Sequence, residues 1–395
     1  MTADQVCLTF NAGSSTLKIG VFDIGGGRAR PIGKGKIDFG EAGVALRYAI
    51  GSEAFERKLS GDHESGFGEV VEETLDSLLP RLAGATLEIA AHRVVHGGLR
   101  FRGAARLDGD VVRQIEDMVP LAPLHQPQAL KVIHALRELR PDLLQTASFD
   151  TAFHATQQDI VRRLAVPRDL HDAGLRRYGF HGLSYKFIAG KLQEIDPKAA
   201  AAKVVAAHLG SGASLCAMEG GASRDCSMGF SALDGIPMAT RPGWLDPGAI
   251  LYLLRERTPE VGEIENFLYH RCGLLGVSGI SGDTRELLQS AAPEAREAID
   301  LFCFRIAGEI GRMAVTLGGL DAVVFTAGIG ENQPEVRRRV CAHLKWTGLE
   351  LDEARNRAGE TVIGTPLSRI KAFIIPTDEE QVLANEALPF LGNPG

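Results

Sequence analysis

The sequence lacks positive charge in excess. Its 395 residues include 43 Lys and Arg against 50 Asp and Glu, a formal net charge of −7. General affinity for nucleic acid or an anionic membrane surface rests on a basic excess, so neither partner is expected. No run of eighteen apolar residues occurs, and no transmembrane helix is expected. The start does not resemble a signal peptide, because Met1-Thr2-Ala3-Asp4 leads straight into an apolar stretch. Cysteine is sparse: Cys7, Cys216, Cys226, Cys272, Cys303 and Cys341 are scattered with no Cys-x-x-Cys. That pattern fits reduced, buried thiols in a cytoplasmic protein better than a disulfide or zinc framework.

Several nucleotide and hydrolase signatures are also missing. No lysine precedes Ser or Thr, so there is no P-loop, and there is no complete GxGxxG, GxSxG or HExxH. His92 and His96 are four apart but flank residues of strand character, so a metal site is not expected there. His96 and His154 are expected to be structural.

Composition is ordinary for a globular protein, 45% hydrophobic and 24% charged, and the length favours about two domains. Apolar strands are expected at Val6–Phe10 and Leu17–Phe22, with the Gly25-Gly26-Gly27 turn after them. A helical stripe follows at Glu69–Leu82, then a strand at Leu87–Ala91, a helix within Leu124–Leu139, and a strand ending at Asp150. About 200 residues after the first strand pair, "KVVAAHLGSGASLCAME" repeats its plan of apolar strand, Gly-Ser turn and apolar strand, which suggests a duplicated domain. A strand at Asp321–Phe325 then leads through a Gly-rich turn to a helix at Val336–Leu344. Strands alternating with helices indicate α/β architecture.

Four turns rich in Gly, Ser and Thr each follow an apolar strand: Asn11–Thr16, Leu209–Ser214, Ser278–Thr284 and Thr326–Asn332. Any one of them suits a plain turn. Four together, two forming a repeated pair, suit phosphate cradles built from backbone N–H groups and small hydroxyls, with Lys18 beside the first. Arg93, Arg241 and Arg285 lie among Gly, Pro and apolar residues, a setting more typical of anion ligands than of solubilising charge.

"NAGSSTLK", "HRVVHGG", "LAPLHQP", "FDTAFH", "RRYGFHG", "SMGFSALDGIPMATR", "GVSGISGDTR", "FTAGIGEN" and "PTDEE" occur in that order from Asn11 to Glu380. Together they resemble the acetate kinase family, within the superfamily of acetate and sugar kinases, Hsp70 and actin. The resemblance covers nearly the whole chain. It implies two duplicated actin-like (ribonuclease H-like) α/β domains with an ATP cleft between them, residues 1–151 plus 380–395 and residues 152–379. It also implies a cytoplasmic homodimer that phosphorylates acetate reversibly with ATP and Mg²⁺ or Mn²⁺.

Carried onto this sequence, the resemblance makes Asn11 and Glu379 magnesium ligands and brings Lys18 to the nucleotide phosphates. His208, Leu209, Gly210, Ser211 and Gly212, with Asp283, Thr284 and Arg285, and Gly328, Ile329, Gly330, Glu331 and Asn332, would form the ATP pocket. Arg93 would bind the substrate carboxylate with His125 nearby, although a histidine in a Pro-rich loop also suits backbone capping. Asp150 matches the family's catalytic acid residue, and His181 and Arg241 match residues that stabilise the transition state. Val95, Leu124, Phe180 and Ala232 match positions that enclose the substrate methyl group.

The sequence departs from the family pattern at Ser211, Thr284, Ala232 and the "RPGW" stretch, Arg241–Trp244. The first two touch nucleotide contacts and the others the acyl pocket, where Trp244 is a candidate to refill space vacated at Ala232. One expectation follows from chemistry rather than from the family. A carboxylate acceptor is already ionised at pH 7 and needs no general base, so Asp150 reads better as a magnesium or water organiser. The alternatives are a propionate or other short-chain acyl kinase, and an ATP-gated binding protein on the same fold.

Overall fold

In the computed structural model, residues 4–13, 16–40, 43–61, 66–82 and 84–392 are described. The chain divides into two compact units, Met1–Phe153 with Asp378–Gly395, and His154–Thr377.

The first unit is organised by Val6-Cys7-Leu8-Thr9-Phe10, whose side chains are all at most 2% exposed. Strands buried on both faces read as near-continuous apolar runs, and this one sits at the centre of a sheet. The strands are β1 (Gln5–Ala12), β2 (Thr16–Asp23), β3 (Arg30–Gly40), β4 (Gly43–Ile50), β5 (Glu53–Leu59), β6 (Thr86–Val94), β7 (Ala105–Arg106) and β8 (Leu144–Phe149). They form one sheet in the order β5-β4-β3-β2-β1-β6-β8-β7. Neighbours from β1 to β5 are antiparallel, while β1, β6 and β8 run parallel.

The helix Phe67–Leu78 turns Val70, Val71, Thr74, Leu75 and Leu78 inward, the spacing of one helical face. Its apolar members pack with Leu8, Phe10, Ile19 and, from the helix Gln126–Leu139, Val132 and Leu136. Each such buried side chain contributes roughly 1.5–3 kcal/mol.

The second unit repeats the plan. Strands β9 (Lys203–Leu209), β10 (Ala213–Glu219), β11 (Ala222–Cys226), β12 (Ala322–Thr326) and β13 (Lys371–Ile374) lie in the order β11-β10-β9-β12-β13. Three antiparallel strands are followed by two parallel ones, as in β3-β2-β1-β6-β8 of the first unit. The duplicated α/β architecture expected from the two strand–turn–strand segments is therefore present, as two copies of the actin-like sheet. A 25-residue helix, Pro293–Leu317, buries Ala295, Ile299, Phe302, Ile306, Ile310, Met313 and Leu317 at helical spacing.

Three local expectations change. The Gly-rich stretch after β12 is itself helical, Ala327–Asn332, entered through Ala327 at φ 65°. The turn before Arg285 resolves into a helix end at Gly279 and an Asp283 side chain that caps the helix Thr284–Gln289. Ser14 and Ser15, in the middle of the first candidate cradle, lie outside the described residues. All six cysteines are free thiols, and five of them are buried. No helix among the described residues is long and apolar enough to cross a membrane.

Candidate active site

In each unit the candidate residues collect at the carboxyl ends of parallel strands, where open α/β sheets bind ligands. In the first unit these are the ends of β1, β6 and β8. Arg93 near the end of β6 grips Asp150, just beyond β8, through Nε to Oδ1 at 3.2 Å and to Oδ2 at 3.1 Å, and through Nη2 to Oδ2 at 2.6 Å. Its Nη1 donates to Asn11 Oδ1 at 3.1 Å. Asn11 Nδ2 in turn donates to Glu379 Oε2 at 2.8 Å and Glu380 Oε1 at 3.0 Å. Asp150, Arg93, Asn11, Glu379 and Glu380 thus form one continuous network. Burial opposes charge on Arg93, but Asp150 and Glu379 outweigh it and raise its pKa.

This donor set fits a hard divalent cation. Three carboxylates share the network with Arg93 and the nearby Lys18, leaving an excess of negative charge. Burial raises the Glu380 pKa, and Glu379 adds to the rise while Lys18 opposes it. Among the described residues no three His, Cys, Asp or Glu side chains converge as a ready metal cage. Magnesium requires no such cage, since it keeps several waters and takes one or two carboxylates together with substrate phosphates.

In the second unit His181 and Arg241 converge. His181 is the residue before the helix Gly182–Ile195 and holds the left-handed conformation, φ 56°. Its ring stacks on His208 of β9, with centroids 4.2 Å apart. Arg241 is held by Nη1 donating to the Ala232 carbonyl at 2.9 Å. A β-carbon built on Gly212 would lie 2.7 Å from Arg241 Nη2 and 3.6 Å from His181 Nε2, so both groups face the backbone of the β9–β10 turn. Gly273 lets the Arg241 backbone pack closely, because a β-carbon there would meet the Arg241 carbonyl at 2.7 Å. Burial lowers the Arg241 pKa, with Tyr269 opposing. A guanidinium desolvated in this way favours an incoming anion.

A cavity of ≈ 580 Å³ adjoins the same turn. It is lined by Gly210, Ser211, Ala239, Gly282, Asp283, Thr284, Arg285, Gly328, Ile329, Asn332 and Gln333. Three separate Gly-rich segments of the sequence therefore meet at one opening. Gly328 presents bare backbone, with no atom within 4 Å of where a β-carbon would sit. Arg285 Nη2 donates to Asp283 Oδ2 at 2.5 Å, which lowers the Asp283 pKa. Gly330 is packed against β12, and the Glu331 carboxylate accepts the N–H groups of Ala327 at 2.7 Å and Thr377 at 3.2 Å. Those two residues shape the helical turn Ala327–Asn332 from behind. Leu209 is fully buried in the sheet and His208 stacks beneath His181.

The expected acyl residues divide. Val95 and Phe180 are buried, Ala232 is half-buried, and Leu124 is 37% exposed. His125 is the residue preceding the helix Gln126–Leu139. Trp244 does not refill space at Ala232: it is 67% exposed and lies against Arg305. The histidines expected to be structural are buried and used internally. His96 Nδ1 accepts the Gly98 N–H, and His154 Nε2 donates to the Phe180 carbonyl at 2.9 Å.

Sequence reasoning missed Glu380, Arg337, Ser214 and Tyr185. Arg337 is 1% exposed and donates to the carbonyls of Gly330 and Glu331 at 2.8 and 2.9 Å, holding the end of the helix Ala327–Asn332 beside the cavity. The signal for Glu380 was its place in "PTDEE", and for Ser214 its place in the repeated strand–turn–strand segment.

Comparison with known proteins agrees with this arrangement. The acetokinase family profile matches residues 6–385. A protein of Methylocella silvestris described as acetate kinase is 42% identical, over 97% of both chains. Among solved structures, a propionate kinase from Francisella tularensis superposes with a TM-score of 0.90 at 32% identity, covering 97% of this chain and 98% of its own. The acetate kinase of Porphyromonas gingivalis gives 0.87 at 31% identity, covering 98% of this chain and 100% of its own. With the duplicated sheets and a family match over nearly its whole length, the chain belongs to the acetokinase family.

Proposed function

We propose that this protein transfers the γ-phosphoryl group of ATP to acetate, yielding acetyl phosphate and ADP, with the reverse reaction on the same residues. The observation that carries this reading is the convergence of His181 Nε2 and Arg241 Nη2 on the Gly212 backbone beside the ≈ 580 Å³ cavity. Two donors aimed at one point next to Gly-rich loops suit the equatorial oxygens of a phosphoryl group in transfer.

The physical obstacle is bringing two anions together. At about 4 Å, unit charges repel by roughly 4 kcal/mol at an effective dielectric of 20. Arg93 offsets this on the carboxylate side and Arg241 on the phosphoryl side. An acetate oxygen attacks the γ-phosphorus, the bond to the β–γ bridging oxygen breaks, and ADP carries away the electron pair. No proton moves. Asp150 is therefore assigned to holding Arg93, which it grips through three hydrogen bonds, rather than to general-base work. Asn11 and Glu379, with Glu380 adjacent, would hold magnesium, which would supply charge neutralisation on the phosphates. Lys18, opposite Asn11 across the β1–β2 pair, adds positive charge to the same side.

Propionate is a second substrate of the same site. Ala232 supplies a methyl where the family has a proline ring, and Val95 keeps a β-branched wall. Assembly as a homodimer and a cytoplasmic location belong to the same proposal. The test is to trap acyl phosphate as the hydroxamate after incubation with ATP, Mg²⁺ and acetate. Acetate-dependent hydroxamate supports the reading. ATP hydrolysis to inorganic phosphate at one rate with or without acetate contradicts it and favours an ATP-gated binding protein.

A further inference from the structure

The hydroxyls behind His181 have no assigned role, and their geometry is specific. His181 Nδ1 lies 2.8 Å from Ser214 Oγ on β10, and Ser214 Oγ lies 2.6 Å from the Tyr185 hydroxyl. Ser214 and Tyr185 are both fully buried. Tyr185 stands on the helix that His181 precedes, one turn along, so helix and strand meet through this serine.

We propose that Tyr185 and Ser214 form a relay that fixes the His181 ring and places its proton on Nε2, the atom facing Gly212 and Arg241. This rests on the reading that His181 acts on the phosphoryl group. A phenol is a stronger hydrogen-bond donor than an aliphatic alcohol, so Tyr185 donates to Ser214 Oγ. Ser214 has one hydroxyl proton, and the acceptor beside it is His181 Nδ1. A neutral imidazole that accepts at Nδ1 carries its hydrogen at Nε2. That atom shares its target with Arg241 Nη2, and an anion arriving there meets two donors. The opposite tautomer would aim a lone pair at the anion.

The rest of the surroundings agrees. The carbonyl preceding His181 accepts from His154 Nε2 at 2.9 Å, which helps hold the backbone that carries the ring. His208, stacked on the ring, is tethered in the same way, its Nδ1 2.8 Å from Ser184 Oγ. Ser214 and Tyr185 are positioning residues, since they reach the phosphoryl group through His181 alone.

The test combines a kinetic cycle with a spectroscopic readout on the full-length protein. Ser214→Ala is expected to lower kcat about tenfold or more with the KM for ATP changed less than about twofold, the pattern of a misoriented group. Tyr185→Phe, which keeps the packing, is expected to lower kcat by a smaller factor of about three. In a His181→Ala background, adding Ser214→Ala should change kcat by less than about twofold. Nitrogen-15 NMR of histidine-labelled wild type should show His181 protonated at Nε2 with Nδ1 unprotonated, and Ser214→Ala should disturb that signal. Equal factors for Ser214→Ala in both backgrounds, or a proton on Nδ1 in the wild type, overturn the relay. Wild-type turnover in His181→Ala would instead remove the catalytic reading of His181 while leaving the NMR result to judge the hydrogen-bond chain.

Discussion

The guanidinium of Arg241 occupies space that is open because residue 212 is glycine: a β-carbon there would lie 2.7 Å from Arg241 Nη2. Gly212 has no positive φ, so alanine brings no backbone strain of its own. Gly212→Ala should therefore fold normally and lower kcat by about 10²-fold through displacement of Arg241. Circular dichroism and steady-state kinetics check the two halves of that statement.

Asp150→Asn should keep the shape of the site while removing the charge that holds Arg93. The expected result is a large fall in kcat and, because Arg93 also donates to Asn11 Oδ1, a higher magnesium concentration for half-maximal rate. The variant's remaining rate should stay flat between pH 6 and 8, because no proton is abstracted from an ionised acid. A magnesium titration at several pH values measures both effects. Unchanged magnesium dependence with a new pH dependence would return Asp150 to a base role.

Much of this architecture was legible in the sequence, for physical reasons. β1 and β9 bury both faces, so their apolar runs stand out, and the turns after them carry Gly and Ser at matching places. β5 was not legible because Leu59 is its one buried residue, which leaves no apolar alternation to read. The left-handed conformations of His181 and Ala327 were equally hidden, since neither residue type signals positive φ as glycine does. The Glu331 carboxylate, accepting the Ala327 N–H, holds the second of these turns. Arg241, Arg93 and Asp150 could be singled out by setting and family resemblance. Their partners could not, because the Ala232 carbonyl and the Asn11 bridge are set by tertiary packing.

Arg337 supports the nucleotide loop from inside. Besides Gly330 and Glu331 it donates to Asn356 Oδ1 at 2.7 Å and the Asn356 carbonyl at 2.8 Å, and burial lowers its pKa to about 10. Arg337→Met fills similar volume but leaves those four acceptors without their donor. A stability loss of about 2–4 kcal/mol is expected, together with a raised KM for ATP as the Ala327–Asn332 helical turn loosens. Urea unfolding and ATP titration of the rate measure the two consequences.

Acid should weaken the fold before it protonates most carboxylates. Burial lowers the pKa values of His92, His96 and His154 from 6.5 to about 4. Between those values the unfolded chain takes up protons that the folded one refuses, so stability falls as pH drops from 6.5 toward 4. Each histidine contributes at most about 1.4 kcal/mol per pH unit in that window. Unfolding free energies measured in urea from pH 7.5 to 4.5 should be level above about 7 and decline below 6.5. His92→Gln should flatten part of the decline.

The identity of the acyl acceptor is the central claim, and kcat/KM for acetate, propionate and butyrate under one set of ATP and Mg²⁺ concentrations tests it most directly. An extra methylene in an apolar acyl pocket shifts discrimination by about 1–3 kcal/mol, roughly 10–200-fold. Trp244 is turned outward against Arg305, so it does not take up the volume that alanine forgoes at position 232. The predicted order is acetate first, propionate a clear second and butyrate poor. A higher kcat/KM for propionate than for acetate would contradict the assignment.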